Sequence, residues 1–452
     1  MQCNTAIFSN LLKIRKGNKA MYISQIALDM FRSWHHIIFD CKPGINIIYG
    51  NNGLGKTNII EALEVASTGF SHRTSSTVPL IARGHEKAVI RIKICNNCNN
   101  KVHIQADTNE SHNSLSTNDD TQQTIYEIIL SIKSANRARI NAGKSLYMRD
   151  IIGSLPVVSF TPRDQSLIIG DPSIRRTFID QAGSLLIPNY AQFLQEFKHV
   201  AQQRAALLRN LRDSSYNNQS ISLSGLEIWT GKFIETGIKL TKVRQKTVQI
   251  LNQYFKNFVT HITSNKAVAE LQYFPSFEEI LLVKSTENNG IINLLNEHFQ
   301  RIYEGELARG CNLIGPHRDD IGFMLDNMPA KDFASNGESW TLAIAAKMAL
   351  CEALKNENNR ENPIIILDDV FAQLDEQRRK QILNFSLQQN QVFITTSSLN
   401  DIPHEVTIHN NNVINIEDIL IQQKNTNSID QTHQNMLGEV LEHRHYQQEN
   451  KS

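Results

Sequence analysis

The chain has 452 residues, room for two or three domains, and its 40% hydrophobic and 20% charged content fits a soluble globular protein. A formal net charge of +1 excludes a global basic footprint, so any nucleic acid must be met by local positive charge. No apolar run approaches the length of a membrane span, and the six cysteines are too scattered for a disulfide framework.

Residues 1–20 carry Lys13, Arg15, Lys16 and Lys19 after a short, broken apolar stretch. That order is wrong for a secretory signal, so the segment is expected to be an appended, disordered extension and the compartment cytoplasmic. Strand patterns begin at 21–28 and 36–39. A third, at 45–49, leads into Gly50-Asn51-Asn52-Gly53-Leu54-Gly55-Lys56-Thr57, and apolar positions at 59, 62, 63 and 66 then follow at helical spacing. Strand, glycine loop and helix are the context a P-loop needs. The glycines let backbone N–H groups approach phosphate, and the helix N-terminus adds unpaired donors. Lys56 reaches the β- and γ-phosphates, and the Thr57 hydroxyl holds Mg²⁺.

Residues 89–94 alternate like a half-exposed strand, and 125–130 read as its partner. The polar stretch 96–123 between them is expected to be a disordered loop inserted in the hairpin. Cys95-Asn96-Asn97-Cys98 is a lone C-x-x-C near His103 and reads as a hairpin tip or a zinc site.

Residues 188–212 place Phe193, Leu194, Phe197, Val200, Leu208 and Leu211 on one helical face. A second apolar pattern starts at Ser224, where Glu227 completes a capping box, and runs to about residue 262 as a long, coiled-coil-like helix. Residues 213–222 would turn one helix back on the other.

Ser335-Asn336-Gly337 opens a further helix pattern, an arrangement that suits either an anion site or a plain N-cap. Residues 364–367 form an apolar strand that ends in Asp368-Asp369, a Walker B pattern; alone it also reads as a buried strand with an acidic turn. Asp368 is placed to hold Mg²⁺, and Asp369 to orient and deprotonate water. About 310 residues separate this pair from the P-loop, so a domain is inserted between them, and the long helices are its natural content. Ala372-Gln373-Leu374-Asp375 is placed as a D-loop, and 391–397 as the next core strand, ending in Thr and Ser where many ABC ATPases carry histidine. Residues 424–452 are rich in Gln, Asn and His and read as a polar tail.

Several motifs together resemble the RecF family of recombination and repair ATPases. They are Phe31-Arg32-Ser33-Trp34-His35, the segments 69–74, 157–164 and 172–180, and Gly315-Pro316-His317-Arg318-Asp319-Asp320. The resemblance spans roughly 21–420 and implies an α/β fold: an ABC-type P-loop ATPase head (lobe I) with an inserted helical arm (lobe II). The head would comprise 21–185 and 301–423, and the arm 186–300. It implies a DNA-binding protein of repair, replication and the SOS response that dimerises on ATP, with weak DNA-stimulated hydrolysis resetting the dimer. It also implies action at single-strand gaps, on double-stranded or gapped DNA, with RecO, RecR and RecA as partners and no membrane. By the same resemblance Gly50 to Thr57, Arg32 and Asp164 bind nucleotide with Mg²⁺ at Thr57 and Asp368. Lys56 and Asp369 are catalytic, and Ser335 and Gly337 act from the opposite protomer.

The family's usual Ser-Gln-Gly-Gln-Gln-Arg stands here as Ser335-Asn336-Gly337-Glu338-Ser339-Trp340. An added carboxylate and a missing cation lead to the expectation of a weaker or slower ATP clasp unless Glu338 points away. Lys198, Arg204, Arg209, Lys239, Lys242 and Arg244 are the expected DNA phosphate contacts. Lys133, Arg137, Arg139, Lys144 and Arg149 form a second basic surplus; the other reading of each is a solvated face. Alternatives of another class are an SMC-like or OLD-type ATPase, or an ABC transporter nucleotide-binding subunit. The helical insertion, the segment 315–320 and the missing histidine disfavour the transporter, and the absence of a nuclease metal cluster argues against a fused nuclease.

Overall fold

Two sheets sandwich the P-loop helix. The computed structural model describes residues 21–74, 76–97, 121–216, 224–263, 266–282, 288–357, 362–371, 374–403 and 411–425. The expectations for 1–20, most of the loop at 96–123, Cys98, His103 and nearly all of the tail therefore lie outside the described residues.

The first sheet is antiparallel. Its strands are β1 (Met21–Phe31), β2 (Trp34–Asp40), β4 (Lys87–Asn97), β5 (Thr121–Ser131), β6 (Arg137–Ile140) and β7 (Leu146–Tyr147), in the order β2-β1-β4-β5-β6-β7. β4 and β5 pair as the alternation at 89–94 and 125–130 requires, with Ile90 opposite Ile128. Its outer face carries a ladder of alternating charge: His36 to Asp29 at 2.6 Å, Asp29 to Arg91, Arg91 to Glu127 at 2.9 Å, and Glu127 to Arg139 at 3.8 Å. A sheet solvated on one face takes such pairs, one side chain from each strand.

The second sheet is parallel, with β3 (Gly44–Tyr49), β8 (Val157–Phe160), β12 (Ile364–Asp368), β13 (Gln391–Thr396) and β14 (Asn412–Asn415) in the order β14-β3-β13-β12-β8. Both its faces are covered. Ile364 and Ile366 pack with the P-loop helix α1 (Lys56–Thr68) and the first sheet, while Ile365 and Leu367 join the opposite core. That is why β12 reads as an unbroken apolar run. β13 separates the P-loop strand from the Walker B strand, so the ends of all three face one cleft.

Between β8 and β12 lie α2 (Pro172–Leu186), α3 (Tyr190–Tyr216), α4 (Ser224–Ile262) and α5 (Asn288–Arg309). With them runs the three-stranded sheet β11-β10-β9, in which β9 (Ala269–Phe274) lies between α4 and α5 while β10 (Asp320–Leu325) and β11 (Met328–Pro329) follow α5; α6 (Asn336–Glu357) comes next. At 39 residues, α4 extends for roughly 60 Å. Phe233, Ile238 and Leu240 in its first half belong to an arm core with Phe197, Phe277 and Phe299. Leu251, Phe255 and Val259 in its second half belong to the core beneath the parallel sheet. One helix thus serves two cores and joins arm to head. α7 (Glu376–Ser386) and α8 (Ile416–Asn425) complete the described chain, and none of its helices is long and apolar enough to cross a membrane.

Candidate functional site

The P-loop leaves β3 at Tyr49 and enters α1 at Lys56. Gly53 and Gly55 adopt φ of 85° and 93°, the left-handed region that favours glycine. At Gly55 a Cβ would also stand 2.8 Å from Ser33 Oγ and from Trp34 Nε1. Trp34 Nε1 donates to the Gly55 carbonyl at 3.0 Å, and Asn58 Nδ2 to Ser33 Oγ at 2.8 Å. The β1–β2 turn therefore braces the loop from behind. Leu54 packs on the core beneath it, and Asn52 is exposed.

Lys56 is buried, and its Nζ donates to the carbonyls of Gly50 at 2.5 Å and Asn51 at 3.0 Å. Burial lowers its pKa, against the opposing charges of Asp369, Asp368 and Glu417. Asn51 Nδ2 donates to Glu417 Oε1 at 2.6 Å, which joins the loop to the start of α8. Nothing in the local sequence marks Glu417 as a partner.

Arg32, expected at the nucleotide, is engaged by a carboxylate of the P-loop helix. It forms a fork to Glu61 at 2.8 and 2.5 Å, on the buried flank of α1. Ser71 Oγ and Arg73 add bonds to the same carboxylate at 2.5 and 3.3 Å. A carboxylate with no exposed surface needs this many donors, and it has claimed Arg32 as one of them.

The Walker B carboxylate meets the P-loop across the sheet. Asp368 is buried, accepting from Thr57 Oγ1 at 3.3 Å and from Thr395 Oγ1 at 2.6 Å. Thr395, on the intervening strand, occupies the region where a histidine was sought, and its function is visible only here. Asp369 is exposed, with φ of 52°, and its N–H donates to the Thr395 carbonyl at 3.2 Å. Partial burial and the neighbouring charge of Asp368 raise its pKa, with Lys56 pulling the other way. A hydroxyl and a carboxylate this close suit Mg²⁺, which takes one or two protein oxygens and completes its shell with phosphate and water. Among the described residues there is no cluster of three or more His, Cys, Asp or Glu fit to hold a metal.

Ser335 and Gly337 sit at the start of α6, and their contacts run away from this cleft. Ser335 N donates to Glu338 Oε2 at 2.8 Å, and Glu338 N to Ser335 Oγ at 3.3 Å, a reciprocal capping box. Glu338 is thereby turned back onto its own helix end, and these bonds to Ser335 lower its pKa. Trp340 is half buried against the main core. A cation does reach the motif, from α7: Arg378 Nη2 donates to the Gly337 carbonyl at 2.8 Å and to Thr341 Oγ1 at 3.2 Å. Arg378 also pairs with Asp375, the N-cap of α7. Of the D-loop motif only Leu374 and Asp375 are described. Asp164 caps a turn, accepting from Thr161 N at 2.9 Å and pairing with Lys347 at 3.5 Å. Its neighbour Gln165 is the residue that touches Asn336.

Two of the expected DNA contacts are corrected. Arg204 is 2% exposed and makes a two-point pair with Glu306 at 2.9 and 2.6 Å, with further bonds to Asn312 and Thr230. Arg244 is 3% exposed and clamps Asp180 and Asp319 at 3.0 and 3.1 Å. Asp180 precedes the arm and Asp319 follows it, so the segment 315–320 is a junction that Arg244, Arg175 and Arg176 hold closed. Lys198, Arg209, Lys239 and Lys242 are exposed, and Lys239 pairs with Glu235 at 2.7 Å.

A family model described as the RecF/RecN/SMC N terminal domain matches residues 22–416. The DNA replication and repair protein RecF of Bifidobacterium adolescentis is 50% identical over 388 residues, 85% of this chain and 89% of that protein. Its counterpart from Bifidobacterium longum subsp. infantis is 48% identical over 391 residues, 86% of this chain and 88% of its own. A solved structure of the recombination mediator protein RecF with ATP, from the RecFOR pathway, matches with a TM-score of 0.71 at 26% identity, over 86% of this chain and 95% of that one. The ATPrS-bound form also gives 0.71 at 26% identity, over 85% and 95%.

Proposed function

The chain belongs to the RecF family of DNA replication and repair proteins, within the wider RecF/RecN/SMC group, and on that footing we propose that ATP acts here as a clasp between two copies. It is an ATP-binding, DNA-binding repair protein with an ABC-type ATPase head. In our reading the head spans 21–185 and 301–423, and the arm 186–300.

One observation carries the clasp. Thr57, Asp368 and Asp369 converge on one cleft, while Ser335 and Gly337 bond to Glu338 and Arg378 instead. A nucleotide on the P-loop is therefore bound by half a site, and an identical copy supplies the other half with its α6 N-terminus. The free N–H groups and dipole there favour phosphate oxygens.

The P-loop N–H groups bind the phosphates of ATP. Lys56 exchanges the Gly50 and Asn51 carbonyls for phosphate oxygens, gaining charge-assisted bonds in place of neutral ones. Thr57 Oγ1 and Asp368 would hold Mg²⁺, which would supply neutralisation of the triphosphate. Thr395 keeps the Asp368 carboxylate in place. Asp369 orients a water and accepts its proton as the oxygen bonds to the γ-phosphorus and ADP leaves. Its raised pKa makes it a better base than an ordinary carboxylate. Hydrolysis is slow and stimulated by DNA, and it opens the clasp. Because the solved relatives belong to the RecFOR pathway, we assign the chain RecO and RecR as partners, RecA loading at single-strand gaps as its task, and the cytoplasm as its place.

The test is dimerisation and gapped-DNA binding with and without ATP, for the native chain and Lys56→Met. ATP-dependent dimers of the native chain, absent in Lys56→Met, support the reading. A native chain that stays monomeric with saturating Mg-ATP overturns it.

A further inference from the structure

We propose that the outer edge of the antiparallel sheet, where Arg137, Tyr147 and Arg149 stack beside Lys198 at the foot of the arm, binds the phosphate backbone of DNA. The inference rests on the DNA-binding function above and gives it a surface.

The edge is built from strand geometry. Ala138 is fully buried, so its neighbours Arg137 and Arg139 project from the opposite, outer face of β6. Arg137 lies directly across from Tyr147 on β7, the last strand of the sheet. Its guanidinium sits 4.0 Å from the centroid of the Tyr147 ring, and that of Arg149 sits 4.7 Å from the same ring. Tyr147 is 43% exposed. Two cations on one exposed ring repel each other, and a bound phosphate relieves that repulsion while accepting from both planar forks.

The positive surface continues onto the arm. Arg149 Nη1 donates to Gln195 Oε1 on α3 at 3.2 Å, and Lys198 follows on the same helix face one turn later. Its ammonium lies 5.3 Å over the ring of Phe70, just past the end of the P-loop helix. Acidic neighbours are few: Asp150 approaches Arg149 at 3.7 Å, Glu127 approaches Arg139 at 3.8 Å, Glu196 is exposed on α3, and the buried Asp180, already clamped by Arg244, acts on Lys198 from beneath. Among the described residues no carboxylate forms an ion pair with Arg137, Lys144 or Lys198. Across the middle of the sheet, by contrast, the charge ladder from His36 to Arg139 largely cancels itself. Within the sheet the surplus falls at this edge, and a polyanion is the ligand that such a surplus suits.

The test uses the full chain, a short DNA duplex and a salt titration. Arg137→Gln/Arg149→Gln/Lys198→Gln is expected to weaken binding about 30- to 300-fold at low salt and to reduce the salt slope by about 2 to 3. ATP affinity should not change and the melting temperature should shift by no more than a few degrees, because Arg149 is exposed, Arg137 is half-buried and Lys198 packs only over Phe70, and among the described residues none of the three holds an ion pair with a buried carboxylate. Tyr147→Ala alone should weaken binding several-fold by loosening both guanidiniums. The control Lys256→Gln/Lys380→Gln, which removes exposed charge elsewhere, should bind like the native chain. A triple variant with the native affinity and slope overturns the assignment while leaving DNA binding itself intact. A native chain that fails to bind DNA at low salt overturns both.

Discussion

Thr395 Oγ1 donates to Asp368 Oδ1 at 2.6 Å, and Thr57 Oγ1 reaches the same oxygen at 3.3 Å. The Walker B carboxylate is thus held between the P-loop helix and the strand that separates the two motifs. Thr395→Val keeps the shape and removes the donor. Positioning groups of this kind are worth about 10- to 100-fold in metal affinity or activity. The expected result is a loss in that range in kcat with a raised Mg²⁺ requirement, while ATP affinity changes less. Steady-state hydrolysis against Mg²⁺ concentration measures it.

Asp369→Asn should separate the clasp from the chemistry. The amide cannot accept the water's proton, so hydrolysis should fall by about 100-fold or more. ATP-dependent dimers should form at least as readily and persist longer. In the native chain the raised pKa of Asp369 predicts that hydrolysis declines on the acid side at a higher pH than an ordinary carboxylate would give. A pH–rate profile paired with light scattering tests both parts.

At the signature, Glu338→Gln keeps a residue that completes a capping box. The ATP concentration for half-dimerisation should therefore shift by no more than about twofold, because the native carboxylate is already turned to Ser335 N. Arg378→Ala should matter more, since it frees the Gly337 carbonyl and Thr341 and removes the motif's cation. A roughly tenfold loss of dimer affinity, with monomer ATP affinity retained, is the expected outcome by analytical ultracentrifugation.

Arg244→Ala should destabilise the fold by about 3–5 kcal/mol, because it leaves the Asp180 and Asp319 carboxylates buried without their cation. Denaturant midpoints measure this. Were Arg244 instead a phosphate contact, stability would hold and DNA affinity alone would fall.

His72 should give stability a pH dependence. Burial alone would depress its pKa, but its hydrogen bond to Glu64 at 2.5 Å and the charges of Glu64, Glu61 and Asp368 outweigh that and raise it. A raised folded pKa means the contribution is complete below the unfolded value of about 6.5 and is lost as pH rises through the folded value. Melting temperature should therefore fall as pH rises above about 6.5 in the native chain and fall less in His72→Gln.

The chain by itself determined what is contiguous. The glycines and Lys56-Thr57 between a strand and a helix, the apolar run into Asp368-Asp369, and the periodicity from Ser224 to residue 262 are each written within one local stretch. Backbone geometry and burial period act at that range, so these elements could be read directly. Only the tertiary structure decided which distant groups meet. Thr395 and Asp368, Asn51 and Glu417, and Arg378 and Gly337 are joined by strand order and helix packing, which leave no local mark. Charge was the least legible property. Arg204 and Arg244 look like their exposed neighbours in the sequence, yet each is enclosed because a buried carboxylate from another helix or turn faces it. A cation on a helix meets solvent or an internal partner according to what packs against that face, and helical spacing does not specify that.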